Sequence, residues 1–235
     1  MKEVNSYGWK AVIGSSIGYA MDGFDLLILG FMLSLISGDL GLTTGQAGSL
    51  VTWTLVGAVI GGFIFGTLSD KFGRVRVLTW TIVLFAVFTG LCAFAQGYWD
   101  LLIYRTIAGI GLGGEFGIGI ALAAEAWPAQ HRAKATSYVA IGWQLGVLAA
   151  ALLTPVLLPY IGWRGMFMVG IIPAFVAWIF RAKLHEPEIF VQSKETKENS
   201  HTNSFKLLVK DVRTTKTSIG VAVLTSVQNF GYYGI

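Results

Sequence analysis

Four ionisable residues stand where the surrounding sequence is almost wholly apolar: Asp22 and Asp25, three positions apart, and Arg105 and Glu115, ten apart. Gly14, Gly18, Asp22 and Asp25 follow spacings of four, four and three, so on a helix they share one face. Arg105 opens a glycine-rich run in which Gly109, Gly113 and Gly117 form a small-xxx-small seam, with Gly111, Glu115 and Gly119 on a neighbouring face. An apolar surrounding disfavours the charged form of a carboxylate unless a cation offsets it. Asp22, Asp25 and Glu115 can therefore each take up and release a proton, or each be held as a structural acid by a basic neighbour. Arg105 presents a planar fork that suits a ligand carboxylate and Asp25 equally well. Tyr19, Trp53, Trp143 and Gln144 carry aromatic and amide groups that suit either a small polar ligand or interhelical packing. The chemistry of bond-making is missing from this pattern. No nucleophile–base pair or metal-ligand spacing is present, and His131, His185 and His201 fall in polar connections. The glycine run is no nucleotide fingerprint, because no soluble strand precedes it. The sequence reads as no enzyme, with no metal site and no cofactor.

The elements that must position these residues follow from composition. Hydrophobic residues make up 54% of the chain and charged residues 13%, about half the ~25% usual for soluble domains. The apolar residues come in runs of about twenty, the length that crosses a ~30 Å hydrocarbon core. Six runs can be drawn, at 11–36, 46–68, 77–95, 101–126, 136–160 and 165–180. This is an all-α integral membrane pattern, multi-pass in a lipid bilayer. Lys and Arg orient it: two precede the first run, three lie between the second and third, two between the fourth and fifth, and eight follow the sixth, Arg181 among them. The opposite connections hold Arg164 alone. The N-terminus and the central linker are therefore expected in the cytoplasm. Because the basic residues flank spans, the net charge of +4 calls for no nucleic-acid partner. Cys92, the single cysteine, excludes an intramolecular disulfide. No short apolar region followed by a small-residue cleavage site opens the chain, so the first run is expected to stay as a span.

Three segments are expected: a six-span bundle over 1–182, a polar cytoplasmic linker over 183–217, and the beginning of a seventh span over 218–235. A chain stopping inside a span reads as the first half of a longer protein whose second six-helix half is missing. Spans 1–3 and 4–6 each begin with a helix carrying membrane acids, as 3+3 inverted repeats would. On straight helices Glu115 should lie level with Asp22, and Arg105 about 10 Å above Asp25.

The connection between spans 2 and 3 reads Gly66-Thr67-Leu68-Ser69-Asp70-Lys71-Phe72-Gly73-Arg74-Val75-Arg76. It resembles, nearly position for position, the signature G-x-L-x-D-[RK]-x-G-R-[RK]-x of the major facilitator superfamily. Glu125, Pro128 and Arg132 resemble that superfamily's acid–proline–arginine turn, and Arg105 with Gly109, Gly111 and Gly113 its fourth-helix motif. The resemblance covers the whole chain in register. It implies two six-helix bundles around a central cavity, worked by alternating access, with Asp70, Arg74, Glu125 and Arg132 in a cytoplasmic gate. Within the superfamily, Asp22-Gly23-Phe24-Asp25 looks like the D-G-[FY]-D motif of aromatic-acid and sialic-acid proton symporters. Gly114-Glu115 and Glu125-Ala126-Trp127-Pro128 look most like the sialate branch, whose serine is Ala126 here. Sugar porters carry an early glutamine in helix 5, where this register gives Ala140, and drug antiporters a glycine–proline pair missing between Gly142 and Thr154. The resemblance thus implies proton-coupled symport of a small organic anion across the cell membrane. The alternatives are a porter of sugar or another neutral solute, a nutrient receptor that does not transport, and a membrane-embedded enzyme.

Overall fold

The computed structural model describes residues 6–182, 184–186, 190 and 211–233. Every regular element among them is helical. α1 spans Ser6–Leu40, α2 Thr44–Phe72, α3 Arg74–Cys92 and α4 Tyr98–Glu125. A 3-10 turn at Ala129–His131 leads into a helical stretch, Arg132–Ala182. Gly162, at φ 63° and ψ 179°, breaks that stretch into α5 (132–161) and α6 (163–182). Three prolines, Pro155, Pro159 and Pro173, stay within the helices. The break falls instead where the backbone needs a conformation that only glycine enters freely. Among the described residues five stretches are long and apolar enough to cross a membrane, and the last of them contains both α5 and α6. The six expected spans thus correspond to six helices of one unit.

The second unit, from residue 192 onward, contributes α7, Val212–Tyr233. Asp211 caps it, accepting the Thr214 N–H at 2.8 Å, a bond that holds its carboxyl below the usual carboxylate range. The helix opens ahead of the expected 218, and it is not one of the five apolar stretches. Most of the expected linker, at 183, 187–189 and 191–210, lies outside the described residues.

Glycine sets how the six helices pack. A Cβ on Gly57 or Gly61 of α2 would collide with the carbonyls of Thr106 and Ile110 on α4. One on Gly109 or Gly113 of α4 would collide with the carbonyls of Thr54 and Ala58 on α2. The two backbones therefore interlock with hydrogens alone between them, the close approach on which helix association in lipid depends. Gly142 and Gly146 of α5 meet Ser16 and Ala20 of α1 in the same way. So α1 lies on α5 as α4 lies on α2, the relation produced by exchanging the two three-helix halves. Gly117, expected in the α4 seam, faces open space. The other edge of α4 meets α3, where Gly111 abuts Thr81 and Phe85.

Both ends of the bundle are tied. At the end opposite the N-terminus, Asp39 accepts bonds from Arg164 (2.6 Å) and the Trp163 indole (3.0 Å), while Arg164 also reaches the Ala95 carbonyl. One arginine thus joins all three helix connections there. At the N-terminal end, Tyr7 donates to the His185 carbonyl and Trp127 to the Gly8 carbonyl.

Candidate functional site

Two ion pairs cross the interior. Arg105 of α4 grips Asp25 of α1 with both terminal nitrogens, at 2.9 and 2.7 Å, and both side chains are wholly buried. The guanidinium also lies 5.9 Å from the Phe167 ring centroid on α6. The expected 10 Å gap does not exist. α4 starts at Tyr98, three residues before its apolar run, so its midpoint falls nearer Arg105 and the residue comes closer to the level of Asp25. The contacts confirm the shifted register: Gly18 lies against Glu115, and Gly119 against Ser15. Arg105 therefore starts only about 5 Å above Asp25 on the 1.5 Å helical rise. An arginine side chain spans that distance.

The second pair joins Glu115 to Arg181, a residue the positive-charge pattern places in the cytoplasmic connection after span 6. The structure corrects that placement. α6 continues through Ala182 and turns Arg181 inward, where its side chain is 0% exposed. The guanidinium binds both Glu115 oxygens and reaches the carbonyls of Leu78 on α3 and Gly14 on α1, each at 3.3 Å. Thr81 of α3 donates to Glu115 at 3.3 Å. Four helices thus meet at this pair. A signal was present in the sequence: Gly170, Ala174, Ala177 and Arg181 recur at spacings of four, three and four, one face of a helix. That face is buried.

Asp22 lies between the two pairs, one turn from each along α1. It is 1% exposed, and among the described residues neither carboxylate oxygen has a hydrogen-bond partner. Three buried carboxylates thus face two guanidiniums.

Close by, the Tyr19 ring lies 4.9 Å from Phe116 and 5.2 Å from Trp143, placing α1, α4 and α5 side by side. Phe116 was not singled out by its sequence context, although it directly follows Glu115. Gln144 and Trp53 sit on exposed faces of α5 and α2.

Of the residues expected in the gate, Asp70, Arg74 and Glu125 come together at the N-terminal end. Arg74 binds Asp70 at 2.5 Å, Glu125 at 3.2 Å and the Ser69 hydroxyl at 2.8 Å. Gly66 supports the turn by accepting from Ser69. Gly73 adopts φ 109°, and Glu186 fills the space beside it. From there Glu186 accepts the N–H groups of Arg74, Val75 and Arg76 at 2.7, 3.2 and 3.1 Å. A carboxylate thus covers the positive end of α3. The Arg76 side chain points outward, and Arg132 is exposed with no ion pair to a described residue. Nothing in the local sequence around Glu186 announced this contact.

Comparison with known proteins bears on the whole arrangement. The Major Facilitator Superfamily profile matches residues 15–235. A Haemophilus influenzae protein named as a metabolite transport protein is 76% identical over 99% of this chain and 58% of its own length. The sialic acid transporter of Escherichia coli is 31% identical over 87% of the chain and 51% of its length. The cis,cis-muconate transport protein of Acinetobacter baylyi is 33% identical over 99% and 57%. The chain therefore spans about half the length of the curated relatives it matches. In fold it superposes on the xylose transporter of Escherichia coli in a partially occluded inward-open conformation, with a TM-score of 0.73 at 24% identity over 83% of this chain and 52% of that one. The sequence signatures, the six-helix bundle and the relatives agree, and the chain belongs to the Major Facilitator Superfamily of membrane transporters.

Proposed function

We propose that the full-length protein is a secondary active transporter that carries a small organic anion inward across the cell membrane together with protons, by alternating access. The described bundle is its N-terminal half, and α7 opens the second half. The observation that carries the reading is Asp22, a buried carboxylate in excess of the two guanidiniums around it. An uncompensated buried charge costs several kcal/mol even after relaxation. One bound proton makes the cluster neutral, and a neutral bundle crosses between outward- and inward-facing states without stranding charge in lipid. Asp22, Asp25 and Glu115 form the proton-handling set, and Arg105 fixes Asp25. Tyr19, Trp53 and Gln144, with Phe116, offer ring faces and an amide to the anion. The names of the relatives that transport sialic acid and muconate support a carboxylated substrate.

The gate of Asp70, Arg74, Glu125 and Arg132 closes the N-terminal end while the protein faces outward. That end is cytoplasmic in this reading, as the Lys and Arg distribution requires.

The test is uptake by the full-length protein in vesicles, with labelled sialate, benzoate, cis,cis-muconate and a hexose. Protons enter with the anion, so acidifying the outside at fixed internal pH should speed uptake and reversing the gradient should stall it. Uptake of the acids that ignores the gradient sinks proton symport, and uptake of the hexose alone sinks the organic anion.

A further inference from the structure

Arg181 has a second partner within reach. Its guanidinium lies along α1 beside Gly14, whose carbonyl it touches, and beside Gly18, where any Cβ would overlap both the guanidinium and the Glu115 carboxylate. One turn further along the same face stands Asp22, with neither oxygen bonded to a described residue. Gly18, which separates them on that face, contributes no side chain. The carbonyl bonds that hold Arg181 from Leu78 and Gly14 are long, at 3.3 Å, and its Nε has no partner among the described residues. Arg105 likewise has both terminal nitrogens on one carboxylate, Asp25, and an Nε without a partner among the described residues, but its head is seated over Phe167.

The other charged groups near Asp22 are few. α1 brings Asp25, α4 brings Arg105 and Glu115, and α6 brings Arg181. Between residues 135 and 161 α5 has no charged residue, and α3 brings only the Cys92 thiol near Arg105.

We infer that Arg181 exchanges partners, between Glu115 and Asp22, as a proton moves the other way. In the arrangement seen Arg181 is on Glu115, and the exchange assigns the proton of that state to Asp22. In the alternative, Asp22 has given its proton to Glu115 and Arg181 has moved one turn to bind the Asp22 carboxylate. One O–H bond breaks and one forms, and the charge of the cluster stays constant. The exchange rests on the proton-coupling reading and supplies its moving part. Arg181 sits on the last turn of α6, five residues before Glu186, which caps α3 beside the gate. A shift of Arg181 is thereby passed to the Arg74 region.

The test is infrared difference spectroscopy of the full-length protein in lipid at neutral pH, reading the C=O stretch of a buried protonated carboxyl. The wild type should show the band of one such group. Asp22→Asn should lose it, because two acids then face two guanidiniums. Glu115→Gln should lose it as well, because Arg181 is released to Asp22. Glu115→Gln combined with Arg181→Gln should restore the wild-type intensity, which also shows that this region still folds. If the pairs are static, Glu115→Gln keeps the band. Its retention at wild-type intensity overturns the exchange, as does a wild type without the band. Vesicle uptake of labelled cis,cis-muconate and sialate separates the two readings. Gradient-independent uptake beside the predicted band pattern refutes symport and leaves the exchange, whereas gradient-driven uptake with a retained band refutes only the exchange.

Discussion

The Glu186 carboxylate occupies the space that a side chain at Gly73 would need. Both halves of that contact can be tested. Gly73→Ala places a Cβ at φ 109° and ψ 152°, an essentially glycine-only conformation that costs an L residue about 1–3 kcal/mol, and it also displaces Glu186. Glu186→Ala removes the acceptor of three N–H groups at the start of α3 and should cost roughly 1–2 kcal/mol, as lost helix caps do. Thermal unfolding of the purified full-length protein should show both losses. Because both substitutions break one contact, the double variant should lose clearly less than the two single losses combined.

The buried pair of Asp25 and Arg105 should behave unlike any surface pair. Arg105→Ala leaves a carboxylate stranded in the interior and should destabilise by about 3–5 kcal/mol. Arg105→Lys keeps the charge but cannot form the two-pronged contact, so it should recover only part of that loss. Asp25→Asn with Arg105→Gln, which removes both charges, should melt above Arg105→Ala. A double variant melting below the single one would mean that the pair is not the source of the cost.

At the opposite end Asp39 and Arg164 are each about half exposed, at 47% and 46% of their side-chain surface. Water screens such a pair, and Arg164→Gln should cost at most about 1 kcal/mol. The loss should shrink further in high salt, which melting curves at two salt concentrations would show. An undiminished loss in high salt would place the value of Arg164 in its packing on Trp163 rather than in its charge.

Packing between α2 and α4 gives a sharper contrast, because two glycines of one helix differ in what surrounds them. A Cβ at Gly113 would overlap the Ala58 carbonyl, whereas Gly117 faces open space. Gly113→Ala should force the backbones apart and destabilise by about 1–3 kcal/mol, as overpacking does. Gly117→Ala should be neutral or stabilising, since alanine favours the helix by up to ~1 kcal/mol over glycine. Equal yields and melting temperatures for the two variants would contradict the seam.

Much of this was legible from residue type and spacing, and the failures have physical causes. The acids in α1 and α4, the glycine seam and the charged turn at Arg74 stand out because lipid penalises charge and helices need small residues to approach closely. Register was harder to read. Hydropathy marks where a run is apolar, but α4 begins three residues earlier, and that shift brings Arg105 down to Asp25. Arg181 was hidden because a basic residue just past an apolar run reads as a flanking charge, although the Gly170, Ala174, Ala177 face points to it. Glu186 lies far from α3 in sequence, and only the folded chain brings them together. In the helical stretch from Arg132 to Ala182, by contrast, the break at Gly162 falls inside the gap drawn between the fifth and sixth runs.

The most direct functional prediction concerns the two acids of α1, which share a helix face and differ in partner. Asp25 is held by Arg105, so Asp25→Asn leaves a buried guanidinium uncompensated and should lower stability and uptake together. Asp22 has no such partner among the described residues, so Asp22→Asn mimics its protonated form in both charge and shape. In vesicles, Asp22→Asn should abolish accumulation driven by a pH gradient, because the bundle stays neutral whatever the pH outside. Exchange of labelled for unlabelled substrate needs no net proton movement and should survive in Asp22→Asn. Measuring both modes on one preparation tests the assignment, for loss of both would make Asp22 a structural residue. Undiminished gradient-driven accumulation would instead move the coupling site to Glu115 or Asp25.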